Sequence, residues 1–135
     1  MTIENLTTFH CESKRRCNDN VLLIYTGWMP TLAWRAMFAR ILSQLSPKVS
    51  VFHWGDADEG GFRIAANITR VASDARHWSR YFRMSPSDIP EDRRRPATER
   101  QSERMRYFAL ADGWADLAQL LEHSRFTAEQ EVLDG

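Results

Sequence analysis

The sequence predicts an α/β domain built on a small, mainly parallel sheet of about four strands flanked by helices. Two observations carry that prediction. Short apolar runs at residues 21–25 (VLLIY) and 49–54 (VSVFHW) are each followed by a stretch of helical periodicity, and strands alternating with helices form a parallel sheet with the helices packed on it. Each run also ends in a glycine-bearing turn, Thr26-Gly27 and Gly55-Asp56, at the edge where such sheets bind ligands.

Taken in order, residues 2–6 read as the end of a strand entering a turn, and residues 10–20 as a polar loop. Residues 21–25 form a continuous apolar run, the pattern of a strand buried on both faces. Pro30 suits the first turn of a helix. Residues 32–45 are apolar enough for a packed helix, which Pro47 stops. After the 49–54 strand comes Gly55-Asp56-Ala57-Asp58-Glu59-Gly60-Gly61. The helix that follows puts Ile64, Ile68, Val71 and Ala72 on one face and Arg63, Asn67, Arg70 and Asp74 on another. Residues 77–84 supply a fourth strand. Residues 85–96, with Pro86, Pro90 and Pro96, read as an exposed loop. Thr98 and Gln101 have capping-box spacing for a helix reaching about Ala111. Gly113 breaks it, a short helix covers residues 114–123, and Thr127 and Gln130 repeat the capping-box spacing. Residues 1–135 together are expected to form one domain.

Composition narrows function by exclusion. The 18 basic and 18 acidic residues cancel, so any attraction to nucleic acid has to come from local charge. Apart from Lys14 and Lys48 the basic residues are arginines, the better partners for bidentate phosphate contact. No apolar run is long enough to span a membrane and no secretory signal is visible, so a cytoplasmic protein without membrane partners is expected. Cys11 and Cys17 make no disulfide framework. With His10 they lack a fourth ligand at zinc-site spacing, and they are expected to be free thiols, buried or half-buried.

The acidic residues carry the chemistry. Asp56 and Asp58 sit two apart directly after an apolar strand, so their side chains point the same way. Two carboxylates so placed repel unless a cation lies between them or one is protonated, and hard divalent cations take oxygen ligands of this kind. Glu4, at the end of another strand, supplies a third carboxylate from one or two strand spacings away. Gly60 and Gly61 allow a tight turn into the next helix, whose N-terminus offers N–H groups to a phosphate. The same residues also serve as ordinary turn and helix-cap residues, and the spacing alone leaves both readings open.

Ile3-Glu4-Asn5-Leu6-Thr7-Thr8-Phe9-His10, His53-Trp54-Gly55-Asp56-Ala57-Asp58-Glu59-Gly60-Gly61-Phe62-Arg63-Ile64 and the ending Glu129-Gln130-Glu131 resemble a known family. A glutamate at one strand end and a later strand ending in DxD and glycine resemble the Toprim signature of type IA and type II topoisomerases, primases and related nucleases. The longer motifs resemble the C-terminal domain family of JetD, the nuclease subunit of the Wadjet plasmid-defence system, related to the Toprim domain of type IIB topoisomerase A subunits. The resemblance implies a Toprim-like α/β fold and a DNA endonuclease that uses Mg2+ or Mn2+ to cleave plasmid or foreign double-stranded DNA. Implied partners are that DNA, condensin-like subunits of the defence complex and, in a homodimer, a second copy of the chain. Glu4 matches the Toprim glutamate, a metal ligand or general acid/base, and Asp56 and Asp58 match the metal-binding aspartates. Glu59 stands at a variable position, with at most a role around the ligated ion. The resemblance also implies that the chain is the C-terminal part of a longer protein and cuts poorly alone.

The alternative is a non-catalytic module that uses this fold to hold DNA or other subunits. A strand-passage enzyme would need a nucleophilic tyrosine, and nothing marks Tyr25, Tyr81 or Tyr107 for that role. Between residues 93 and 106 six arginines face two glutamates, a local charge of plus four. Arg93, Arg94 and Arg95 are therefore candidates for phosphate contact. A solvated helix face that pairs with itself, through Arg100–Glu103 and Glu103–Arg106, explains the charge equally well. His53 is expected to be a half-buried strand histidine with proton transfer as its other reading. Trp28, Trp34, Trp78 and Trp114 are assigned to the core in preference to base stacking. Glu129 and Glu131 are placed in the first turn of a capped helix, with a reach to the metal site as the alternative.

Overall fold

Four short strands run parallel in the order β2-β1-β3-β4 in the computed structural model, which describes residues 1–130: β1 (Thr2–Ile3), β2 (Ile24–Tyr25), β3 (Val51–Trp54) and β4 (Ser79–Tyr81). Thr2 lies level with Ile24 and His53, and Ile3 with Tyr25 and Trp54. Helices α1 (Leu6–Arg15), α2 (Leu32–Ser43), α3 (Glu59–Asp74), α4 (Glu99–Ala111) and α5 (Ala115–His123) flank the sheet. A two-stranded antiparallel ribbon pairs β5 (Arg95–Pro96) with β6 (Phe126–Thr127). This α/β arrangement, a four-stranded parallel sheet among helices, is the predicted one and is consistent with a Toprim-like fold. Among the described residues no helix is long and apolar enough to cross a membrane.

Helix α3 divides the core. Its Ile64, Ile68 and Ala72 pack with Phe38 and Leu42 of α2 and Val51 of β3. Its Phe62 and Ala65 join Trp54, Met105, Leu117, Leu121 and Phe126 in a second cluster. Burying a side chain of the size of Ile68 or Leu121 stabilises the fold by about 1.5–3 kcal/mol, so two apolar stripes hold α3 in one orientation. Its ends are as well defined. Asp58 caps the start by accepting a hydrogen bond from the Gly61 N–H at 2.7 Å. At the other end Arg76 adopts the left-handed conformation, and the N–H groups of Arg76 and His77 donate to the carbonyls of Ser73 and Ala72. That is a Schellman closure, and α4 ends in the same way through Gly113 and Trp114. The capping box of Thr98 and Gln101 is present at the start of α4.

Several local expectations need correction. Residues 10–15, expected in a loop over 10–20, belong to helix α1, although its sequence has no apolar stripe. Asn5 caps α1, and buried Glu12 pairs with Arg15 and Arg16 at 2.5 Å each. Charge-assisted hydrogen bonds here replace apolar packing. Residues 21–25 do not make a strand buried on both faces. Only Ile24 and Tyr25 are paired, at the sheet edge, and Leu22 and Tyr25 are exposed. Pro30 lies outside the first turn of α2, because Thr31 is the cap. The 85–96 segment is not a uniformly exposed loop. It holds two 3-10 turns, and Ser85, Pro86 and Ile89 are buried. Thr127 belongs to β6 and pairs with Arg95, so it is not a helix cap. Cys11 and Cys17 are free but exposed.

Candidate functional site

Because the strands are parallel, their carboxyl ends share one edge of the sheet. The chain leaves β1 at Glu4, β2 at Thr26 and β3 at Gly55. The backbone N–H of Glu4 still bonds to the Trp54 carbonyl, 3.0 Å, and that of Thr26 to the Ile3 carbonyl, 2.9 Å. Glu4, Asp56 and Asp58 therefore line one cleft of about 570 Å³, together with Asn5, Tyr25, Gly27, Trp28, Met29, Gly60 and Arg63. All three carboxylates picked out in the sequence line this cleft.

Their immediate contacts are specific. The Asp56 backbone N–H donates to Oε2 of Glu4 at 3.2 Å. A Cβ on Gly55 would stand 2.5 Å from that same oxygen and 2.8 Å from Nε2 of His53. Gly55 is thus the gap through which the Glu4 carboxyl reaches the loop. A Cβ on Gly61 would overlap the Asp56 carbonyl, so the turn from Asp56 into α3 also needs a bare Cα. Burial, reinforced by the charge of Asp56 and then of Asp58, pushes the Glu4 carboxyl up to about 8. Positive charge among the three would reverse that shift.

One contributor is not among the candidates the sequence suggested. The Gln130 N–H donates to Oδ1 of Asp56 at 2.7 Å, and its side-chain Oε1 accepts from the Asn5 N–H at 2.9 Å. Beside it, Ala57 and Ala128 exchange both backbone hydrogen bonds, 2.8 and 3.1 Å. The C-terminal segment thereby ties the Asp56 loop to the residue after Glu4. The sequence marks Gln130 by the Glu129-Gln130-Glu131 ending and by its spacing from Thr127, and neither pattern points to Asp56. Glu129 in fact pairs with Arg95 at 2.7 Å, and Glu131 lies outside the described residues.

His53 is fully buried, not half-buried, and burial pushes its pKa down to about 3, so the ring is neutral. Its Nδ1 lies 3.0 Å from Oγ1 of Thr2, whose hydroxyl donates to the Phe52 carbonyl. Asp58 spends one oxygen on the α3 cap, and Glu59 meets Arg104 at 3.4 Å. Neither Arg100 nor Arg106 pairs with Glu103; Arg106 meets Glu122 at 3.5 Å instead. None of Arg93, Arg94 and Arg95 lines the cleft. Arg93 faces Asp92. Arg94 is held by the carbonyls of Ile89 and Pro86, 2.9 and 2.8 Å, and lies over the Phe126 ring. The tryptophans divide. Trp34 is half-buried and Trp114 buried, but Trp28 and Trp78 are 90% and 80% exposed, which corrects their assignment to the core.

As three carboxylates lining one cleft, the donor set is of the kind that hard divalent cations take. Among the described residues, no three side chains of His, Cys, Asp and Glu stand close enough together to hold a metal ion as they lie. Asp58 accepts from the Gly61 N–H as the cap of α3, so a cation held by all three would share Asp58 with that cap.

Residues 1–134 match the family model described as "Wadjet protein JetD, C-terminal". A curated relative, Wadjet protein JetD of Bacillus cereus (strain Q1), is 38% identical over 71 residues. That match covers 52% of this chain and only 17% of the relative. No solved structure matches.

Proposed function

The chain belongs to the JetD C-terminal family, and from that premise we propose that it is a Toprim-like catalytic domain cleaving double-stranded DNA in a Mg2+- or Mn2+-dependent way. The whole protein would act on plasmid or foreign DNA in a Wadjet-type defence complex with condensin-like subunits. The reading takes residues 1–135 as one domain. The observation that supports it most is the meeting of Glu4, Asp56 and Asp58 in one cleft at the carboxyl edge of the sheet.

In this reading Glu4, Asp56 and Asp58 would hold the ion, which when bound activates a water and stabilises the leaving oxygen. The chain's own residues do the positioning. Gln130 fixes Asp56, Gly55 admits the Glu4 carboxyl, and the Asp56 N–H orients that carboxyl. Without the ion, burial and the neighbouring carboxylates hold the Glu4 carboxyl up at about 8, and the ion's charge would favour its ionised, ligating form. Arg63, exposed and lining the same cleft, is available to a phosphate. The rival is a non-catalytic module. The use of Asp58 as a helix cap favours it, since capping alone accounts for an aspartate there.

Cleavage of plasmid DNA by the intact protein separates the two, with Mg2+, Mn2+ or chelator present and with Asp56→Ala, Asp58→Ala and Glu4→Gln compared. Metal-dependent cutting abolished by the aspartate variants supports the nuclease. Full activity in chelator, or in Asp56→Ala, removes it in favour of the binding module.

A further inference from the structure

We infer that Trp28 is a stacking platform for an unpaired nucleobase of the DNA strand entering the acidic cleft, with Arg63 taking a phosphate of the same strand. The inference rests on the reading of the cleft as a phosphodiester site. It adds a substrate class: DNA whose strands are locally separated at the cleft.

The β2–α2 loop is held on both sides of Trp28. Thr26 donates to the Ile3 carbonyl through its N–H and its hydroxyl, 2.9 and 3.2 Å. The Tyr25 carbonyl accepts from the Trp34 indole at 3.0 Å. Beyond Trp28, the Met29 sulfur accepts from Nδ2 of Asn67 at 3.3 Å, Pro30 is buried, and Thr31 caps α2. The indole between these anchors nevertheless projects into water. A buried indole is among the largest apolar contributors to stability, so a well-anchored loop that withholds one presents it to something outside the fold.

The surroundings say what that is. The cleft that Trp28 lines is also lined by Glu4, Asp56, Asp58 and Arg63. Aspartate and glutamate are depleted from protein–protein interfaces, and three of them line this cleft, whereas an aromatic face and a guanidinium lining one cleft suit a nucleotide, base on ring and phosphate on the fork. Arg63 is exposed and makes no ion pair among the described residues. Bases inside a duplex have no free face, so the stacked base belongs to an end, an overhang or an opened step.

The test uses the intact protein in chelator, where the metal-dependent reading allows no cutting. Affinity is measured for a blunt duplex and for the same duplex with a single-stranded overhang, in wild type, Trp28→Ala, Trp28→Phe and Trp78→Ala. Trp78 is the control, because it is similarly exposed but precedes β4, at the opposite edge of the sheet. Trp28→Ala is expected to bind the overhang roughly 10- to 100-fold more weakly, to change little on the blunt duplex and to lose overhang-induced quenching of indole fluorescence. Trp28→Phe recovers most of the affinity, and Trp78→Ala matches wild type. Overhang binding equal to wild type in Trp28→Ala overturns the inference, as does an equal loss on both DNAs. A changed oligomeric state with unchanged DNA affinity also overturns it, assigning the surface to protein contact. Mn2+ titration of Trp28→Ala keeps the two readings apart. Unaltered metal binding with lost overhang binding concerns Trp28 alone, whereas absence of metal-dependent cleavage in wild type counts against the nuclease reading and leaves the stacking result standing.

Discussion

Oε2 of Glu4 occupies the space that a side chain on Gly55 would need: a Cβ there would stand 2.5 Å from it. Gly55→Ala must therefore displace the Glu4 carboxyl or the strand end. Forced overpacking costs about 1–3 kcal/mol, and displacement of a reacting group by about 1 Å can cost roughly 100-fold in rate. The variant is expected to fold with a lowered melting temperature and to lose metal-dependent cleavage by about that factor. Wild-type cleavage in Gly55→Ala would show that Glu4 does not need its observed position.

Gln130 allows its two contacts to be separated. Gln130→Ala removes the side-chain bond to Asn5 but keeps the backbone bond to Asp56, whereas Gln130→Pro removes both. A hydrogen bond to a charged group contributes about 1.5–3 kcal/mol. Gln130→Pro should thus weaken Mn2+ binding and cleavage roughly 10- to 100-fold, with Gln130→Ala closer to wild type. Equal behaviour of the two variants in Mn2+ titration would argue against a positioning role for the backbone bond.

Two carboxyls make stability fall as pH rises. Burial raises Glu4 from 4.5 to about 8 and, against the opposing charge of Arg70, Asp112 from 3.8 to about 7. One oxygen of Asp112 is buried without a hydrogen-bond partner among the described residues. Between about pH 4 and pH 8 the folded chain keeps protons that the unfolded chain has released, so stability is highest at the acid end and is lost through that window. Melting temperatures in chelator should fall more steeply with pH for wild type than for Glu4→Gln or Asp112→Asn, the fall ending by about pH 7 in Glu4→Gln and continuing to about pH 8 in Asp112→Asn. Added Mg2+ should restore stability at the alkaline end in wild type but less in Glu4→Gln. Parallel pH profiles in all three proteins would refute the assignment.

The three adjacent arginines should part company. Arg94→Ala loses two hydrogen bonds to carbonyls and the contact over Phe126, about 2 kcal/mol in all, and several degrees of melting temperature. Arg93→Ala and Arg95→Ala should leave stability within about 0.5 kcal/mol. If they touch phosphate, they flatten the salt dependence of duplex binding. An unaltered salt slope would leave them as surface ion-pair partners of Asp92 and Glu129.

What could be read in the sequence follows from how local its causes are. The carboxyl edge was legible because a strand end at Glu4 and an apolar run ending in Gly55-Asp56 need only strand polarity to be placed, and the faces of α3 followed from its spacing. Helix α1 was not legible, because its stabilisation lies in the Asn5 cap and the burial of Glu12 against Arg15 and Arg16, which no apolar stripe announces. Trp28 and Trp78 were misplaced because composition treats every indole as core, while exposure is settled by the loop that carries it. Gln130 holds Asp56 through its backbone N–H, which every residue except proline possesses, so no side-chain pattern could single out that contact.

That last bond fixes the order in which the molecule can be made. Asn5 and Gln130 are 125 residues apart, and Asp56 and Gln130 74. The sheet strands and α3 all precede residue 82, so they can settle while the chain is still being synthesised. Contacts of such long range close late, after the loop entropy between their ends has been overcome. A nascent chain not yet translated through residue 130 can fold its sheet but cannot lock the Asp56 loop against Asn5, so the acidic cleft is completed last. In the nuclease reading, a polypeptide not yet extended through residue 130 would carry the three carboxylates without the bond that holds Asp56.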